Sequence, residues 1–237
     1  MRNFLLSLLL LCSFLHGYAQ PKVNLEIKSG YGAYAMDALR PLTREYTTNT
    51  NYAKITDNFP AFINFGGSGS IVLDPWEFGV EYTYFSTGAR AHYEDYSGEL
   101  GFDQLVKAHA IGAFARYSFL RKPKFQLTAS LALSNYISQL DMNQYMRIGD
   151  EKQEEGLEVV SGSVAITPMA GPVFKITNSI YTGFRVGYCV DLKGGLHVRK
   201  DKELKLLDDV GDQIHTDWSG VRSEVFVGVR VCCKVED

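Results

Sequence analysis

Trp76-Glu77-Phe78-Gly79-Val80-Glu81-Tyr82-Thr83-Tyr84 decides the fold. Trp76, Phe78, Val80, Tyr82 and Tyr84 fall on one face of an extended chain. Glu77, Gly79, Glu81 and Thr83 fall on the other. Side chains alternate across a strand, so this period of two marks a strand with two different environments. The same alternation recurs. Phe125, Leu127, Ala129, Leu131 and Leu133 interleave with Gln126, Thr128, Ser130, Ala132 and Ser134. Val221, Ser223, Val225, Val227, Val229 and Val231 interleave with Arg222, Glu224, Phe226, Gly228, Arg230 and Cys232.

Extending this reading gives eight strands over 23–35, 61–73, 76–94, 105–120, 124–138, 159–176, 180–192 and 216–233. Helical periodicity is nearly absent; a short turn around Met36 to Tyr46, interrupted by Pro41, is the exception. Connections alternate in kind. Asp74-Pro75, Arg121-Lys122-Pro123 and Thr177-Asn178-Ser179 are tight turns built from turn-forming residues. The stretches 36–60, 95–104, 139–158 and 193–215 are long and polar. In an up-and-down barrel every second connection lies at the same end, so the long loops share one end and the short turns the other. The expected fold is therefore all-β: a closed antiparallel up-and-down eight-stranded transmembrane β-barrel.

Which face is the core follows from composition of the faces. The polar face carries Gly, Ala, Ser and Thr punctuated by single charges: Glu26, Lys28, Glu77, Glu81, Arg116, Lys175, Arg185, Asp191, Arg222, Glu224 and Arg230. Five acids against six bases suits charges paired across a narrow lumen. The other face sets aromatics near strand ends: Trp76, Phe78, Tyr117, Phe119, Phe125 and Phe174 beside the turns, and Tyr82, Tyr84 and Trp218 further up. That suits two membrane-interface girdles with aliphatic residues between them. Eight strands leave a lumen that side chains fill, which favours an ion-paired core over a pore.

Averages hide this. The 237 residues are 46% hydrophobic and 22% charged, and mean hydropathy is −0.10. Lys+Arg 24 against Asp+Glu 27 leaves −3, with no basic excess for nucleic acid. Fourteen Tyr and fourteen Phe speak against disorder. Beyond residue 20 no apolar run is long enough for a spanning helix. Residues 1–19 read as a signal peptide: Arg2, an apolar stretch from Phe4 to Leu15, then Gly17-Tyr18-Ala19 before cleavage. Lipidation at Cys12 is the lesser alternative, because Leu11 is bulky there. Residues 20–237 form the barrel domain, and loss of Arg2 takes the mature charge nearer −4.

The residues resemble the small outer-membrane β-barrels of Gram-negative bacteria, the OmpX-like and OmpA-barrel-like group. Ile166-Thr167-Pro168-Met169-Ala170-Gly171 is similar to a strand segment of such barrels. Gln20 after the cleavage site looks like exported proteins of Bacteroidota. The resemblance implies insertion in the cell outer membrane, contact with its lipid and lipopolysaccharide, long loops outside and short turns in the periplasm. Two features depart from it. The chain ends Val231-Cys232-Cys233-Lys234-Val235-Glu236-Asp237 rather than on an aromatic residue. Pro168 and Pro172 fall inside a strand, which calls for a bulge at Met169 to Gly171.

Chemistry is sparse. His92 and His109 flank the second long loop near Glu94 and Asp95, at no standard metal spacing. His109 with Ser86 or Ser97 is the one conceivable base and nucleophile, without a third orienting acid. No catalytic residue, cofactor or metal is expected. Cys189 and Cys232 share the inward face of adjacent strands but lie at opposite ends, too far apart for a disulfide. The expected role is an envelope-structural or adhesive component acting through the outer loops, whose ligand or protein partner the residues do not name. Alternatives are a soluble lipocalin-like barrel binding an apolar ligand, and an outer-membrane lipid-modifying enzyme.

Overall fold

A computed structural model describes residues 22–50, 53–96, 98–199, 201–207 and 211–232. Eight strands make the wall: β1 (Lys22–Gly32), β3 (Phe62–Leu73), β4 (Trp76–Asp95), β5 (Gly98–Lys122), β6 (Phe125–Ile148), β7 (Glu151–Lys175), β8 (Ile180–Asp191) and β13 (Gly220–Cys232). Each pairs antiparallel with its neighbours in chain order, and β13 pairs back onto β1. The pairings thus ring the molecule in the up-and-down order read from the sequence. The signal-peptide segment 1–19, Ser97 and Cys233 lie outside the described residues.

The ring has two heights. β1, β3, β8 and β13 hold 11, 12, 12 and 13 residues. β4, β5, β6 and β7 hold 20, 25, 24 and 25. The excess of about twelve residues raises one side of the wall by roughly 30–40 Å along the strands. This corrects the long loops expected at 95–104 and 139–158. Asp95 pairs with Gly98 and Ile148 with Glu151, so both stretches are ladder nearly to the tip. Gly149 takes φ 59° in the second tip, a conformation that favours glycine. Both faces of this upper wall carry polar residues, so the apolar alternation that betrays a strand fades although the pairing continues.

The other two long connections also have structure. Residues 36–60 hold α1 (Arg40–Thr50) and β2 (Lys54–Asn58), and β2 pairs with the upper part of β4. Pro41 opens the helix rather than interrupting it, because a first-turn N–H needs no helical partner. Residues 193–215 hold β9 (Gly194–Gly195), β10 (His197–Val198), β11 (Asp201–Lys205) and the start of β12 (His215–Thr216). The second tight turn is Pro123-Lys124, since Lys122 pairs with Phe125.

No bulge forms at Met169 to Gly171. β6–β7 keeps one register throughout, and so does β7–β8 from Ala165↔Asp191 to Lys175↔Tyr181. Pro168 and Pro172 instead leave rungs missing on the β8 side, at Thr167, Pro168, Gly171 and Pro172. Gly171, Gly183 and Gly187 line this seam, and their bare backbones let the strands close in. The one irregularity within β5–β6 lies between Ser118 and Leu120, beside Phe119.

Substituting Gly187 tests the seam. A Cβ there would run into the Pro168 carbonyl, whereas one at Gly162, on the same wall, meets nothing within 4 Å. Gly187→Val is expected to lower unfolding stability by about 1–3 kcal/mol, as overpacking does, and Gly162→Val to leave it near wild type. Denaturant titration of the folded protein in micelles reads the difference.

Candidate functional site in the lumen and at the outer rim

Polarity is inverted relative to a water-soluble barrel. Ile27 is 73% exposed, Val80 64%, Ile111 58% and Val225 57%, all on the outer face. Inward-facing Glu26, Arg116, Arg185 and Glu224 are each 3% exposed. Lys28, Glu77, Asp191 and Arg222 are also buried, and Glu81, Lys175 and Arg230 are half-buried.

Glu26 is the hub of the lumen. Its carboxylate accepts from Arg116 Nη1 at 2.8 Å and Nη2 at 3.1 Å, and from Arg185 Nη2 at 3.0 Å. The Tyr181 hydroxyl and Ser68 Oγ each donate to it at 3.2 Å. Strand register delivers the partners. Glu77 lies directly across from Arg116 on β4–β5, and Glu224 across from Arg185 on β13–β8. Arg116 reaches Glu77 at 3.1 Å, and Arg185 reaches Glu224 at 2.7 Å. Lys28 joins Glu81 and, at 3.5 Å, Glu224. Asn24 Nδ2 and the Ser70 hydroxyl also donate to Glu77.

Rings and glycines fill the rest of this layer. The Arg185 guanidinium sits 4.0 Å over Phe226, and Arg116 5.0 Å over Phe114. Gly228, opposite Glu26, leaves the space that the Tyr181 ring occupies. A cavity of about 20 Å³ remains beside Glu77, Arg116 and Arg230 at the turn end, room for about one water. Four of the expected charges stand apart from the ion pairs. Arg222 donates to the Tyr136 hydroxyl at 3.2 Å and lies over Phe85. Arg230 donates to Asn24. Asp191 accepts the Trp218 backbone N–H at 2.9 Å. Lys175 has no carboxylate within 4 Å among the described residues.

Above the charges the lumen turns apolar. Phe85, Val106, Tyr136, Leu140 and Val159 from the tall wall pack with Tyr34, Met36, Leu39, Leu196, Ile214 and Trp218 from the connections. These connecting segments fold into the mouth and plug it. Trp218 corrects the girdle expectation: it is fully buried, with Nε1 donating to Ser138 Oγ at 2.8 Å. It precedes β13 with the inward parity of Arg222 and Glu224, and it packs as part of the plug. Sequence reasoning missed the plug because its apolar residues carry no periodicity within polar connections.

The remaining aromatics face outward. Trp76, Phe78, Tyr82, Tyr117, Phe119 and Phe174 are exposed, and Tyr84 and Phe125 half-buried. Trp76 packs on Tyr117 at 4.8 Å and Phe125 on Phe174 at 5.4 Å, beside the short turns. Tyr82 and Tyr84 flank His109, whose Nδ1 meets the Tyr82 hydroxyl at 2.7 Å. Trp76 to Tyr84 spans roughly 25 Å along β4. His92 lies near Glu94, Glu99 and the Tyr145 hydroxyl. Above the belt, Arg90 pairs with Asp103 at 2.7 Å, and that hydrogen bond and charge hold its guanidinium above its ordinary pKa. Cys189 is a free, buried thiol 3.6 Å from the Tyr136 hydroxyl. It pairs with Gly220 at one end of β13, whereas Cys232 pairs with Lys22 at the other.

No protein-family model and no curated protein matches the chain. Among solved structures it is similar to Neisserial surface protein A, at 14% identity over 89% of this chain and 97% of that one, with a TM-score of 0.40. It is similar to outer membrane protein OprG from Pseudomonas aeruginosa, at 10% identity over 91% and 98%, with a TM-score of 0.49. Ail, the attachment invasion locus protein of Yersinia pestis, aligns at 12% identity over 90% and 100%, with a TM-score of 0.37.

Removing the hub should be costly. Glu26→Ala leaves two buried guanidiniums short of a counter-charge, and is expected to cost about 3–5 kcal/mol. Glu154→Ala, which breaks the exposed pair with Lys152, is expected to cost at most about 1 kcal/mol. Denaturant midpoints of the folded fraction measure both.

Proposed function

We propose that the protein is an integral barrel of the cell outer membrane, with a filled lumen, acting at its outer end as an envelope-structural or binding component. The observation that carries this reading is the inverted polarity. Hydrocarbon accepts Ile27, Val80, Ile111 and Val225 on the outside. The lumen accepts charges only because Glu26, Arg116, Arg185 and Glu224 satisfy one another there. In water the same molecule would expose a continuous apolar belt, far beyond what a soluble monomer carries.

The occupied lumen speaks for structural or binding work and against transport. Ion pairs fill the turn end, and the Trp218 plug fills the outer end. An apolar ligand inside, as in a lipocalin-like barrel, finds those positions already taken by protein. For lipid-modifying chemistry, the His109 ring is engaged by Tyr82, and Ser86 lies opposite Lys107 rather than His109. The tall β4–β7 wall and its hairpin tips are the surface left for partners.

The folded protein is expected to require detergent for extraction and to migrate differently on a gel when unboiled. In planar bilayers it should give no steady conductance. Recovery of a soluble monomer without detergent would overturn the membrane reading. A reproducible conductance altered by charge reversal at Arg116 or Arg185 would overturn the filled lumen.

A further inference from the structure

We propose that the turn end of the lumen is a docking surface for an extended acidic segment of a periplasmic protein, held by an arc of four cations, Lys124, Lys175, Arg230 and Lys22. The proposal rests on the membrane reading above and adds a surface at the opposite end from the hairpin tips.

Charge is sorted between the two ends. Lys22, Arg121, Lys122, Lys124, Lys175 and Arg230 stand at the turn end, with the Asp74 carboxylate beside them. The stretch 92–104 holds four acids and no Lys or Arg, and 139–158 holds six acids against two bases. Asp74 is already held by Arg121 Nη1 at 2.7 Å. Lys22, Lys124, Lys175 and Arg230 have no carboxylate within 4 Å among the described residues. Arg230 Nε donates to Asn24, a neutral partner, at 2.9 Å. Two of these cations are set face to face. The Lys175 backbone N–H donates to the Lys124 carbonyl at 3.0 Å, one position beyond Phe125↔Phe174. Like charges directly opposite on paired strands repel, and no carboxylate among the described residues relieves this pair.

Strand order sets the spacing. β6, β7, β8, β13 and β1 are consecutive in the ring. Lys124 leads into β6, Lys175 ends β7, Arg230 lies near the end of β13 and Lys22 opens β1. Four strand intervals of about 4.8 Å make an arc of roughly 20 Å, with a cation every one or two strands. An extended chain sets same-side side chains about 7 Å apart, so carboxylates on alternate residues meet the arc. The cations face the mouth rather than the lipid. Lys22, Lys175 and Arg230 share the parity of the buried Asn24, Val173 and Phe226. Arg230 lies 5.4 Å over the ring of Tyr181, the cross-strand partner of Lys175. Outward at this level are Phe119, Phe174 and Ile176, with Lys122, opposite Phe125, beside them. The cavity beneath the mouth measures about 20 Å³, room for about one water. It is too small for an organic anion, so the ligand lies across the rim.

A fluorescently labelled hexaglutamate peptide, titrated with the full protein in nonionic micelles and followed by anisotropy, tests this. The peptide is expected to bind at low salt. Binding should weaken as the Debye length falls from about 30 Å at 0.01 M to about 8 Å at 0.15 M. Lys124→Gln with Lys175→Gln should weaken it about tenfold, and Lys152→Gln at the hairpin tip should leave it unchanged. No binding of the peptide, or full binding by the Lys124 and Lys175 variant, would overturn the proposal. Native mass spectrometry with phosphatidylglycerol and phosphatidylcholine reads the competing lipid assignment. Selective retention of phosphatidylglycerol that the same double variant loses, without peptide binding, would give the cations to the membrane and overturn the proposal. Gel mobility of unboiled samples shows whether each variant is folded. Recovery of a soluble monomer without detergent would overturn the membrane reading and the periplasmic placement of the partner, while the peptide titration still decides the surface.

Discussion

The bond network on Glu26 is the constraint on which the rest depends. A barrel whose outside is aliphatic has only its lumen for charged side chains, and a buried charge is tolerable only when paired. Glu26 brings two guanidiniums together, and each of those reaches a second carboxylate, Glu77 or Glu224. The cluster thus ties β1, β4, β5, β8 and β13 across the lumen. Those cross-lumen bonds work alongside the strand ladders and make one radius of the ring favourable. The small residues around them follow from the same need: an inner face with Gly228 and Gly183 leaves room for Tyr181 and Phe226 between the arginines.

The two ends of the lumen solve the filling problem differently. Near the turns, ion pairs and stacked cations occupy the space. Near the outer end, the wall supplies Phe85, Tyr136 and Leu140, and the connections return Tyr34, Met36 and Trp218 to meet them. The tall β4–β7 side makes this possible, because its inner face extends above the short strands and offers a surface for the plug to pack on. Asp191 links the two solutions by holding the Trp218 backbone at the junction.

Much of this was legible in the chain because alternation is a local signal. All eight wall strands, the turn ends at Asp74-Pro75 and Thr177-Asn178-Ser179, and the inward side of every named charge follow from it. Three things were not legible, each for a physical reason. The hairpin extensions over 95–104 and 139–158 lose their apolar face once they leave the belt, although the ladder continues. Trp218 has the inward parity of Arg222 and Glu224, and only its aromatic character suggested a place in the girdle, because nothing local marks the plug that it joins. Pro168 and Pro172 suggested a bulge, but glycines on the facing strand let the register continue without the missing N–H groups.

Lipid accessibility along β13 separates a wall set in hydrocarbon from one set in water. Single nitroxide labels at Val225, Val227, Phe226 and Gly228, in protein reconstituted into bilayers, report contact with lipid-soluble and water-soluble relaxation agents. Strong relaxation by the lipid-soluble agent is expected at Val225 and Val227, and little by either agent at Phe226 and Gly228. Relaxation of Val225 and Val227 by the water-soluble agent, with the lipid-soluble agent acting at neither, would contradict it.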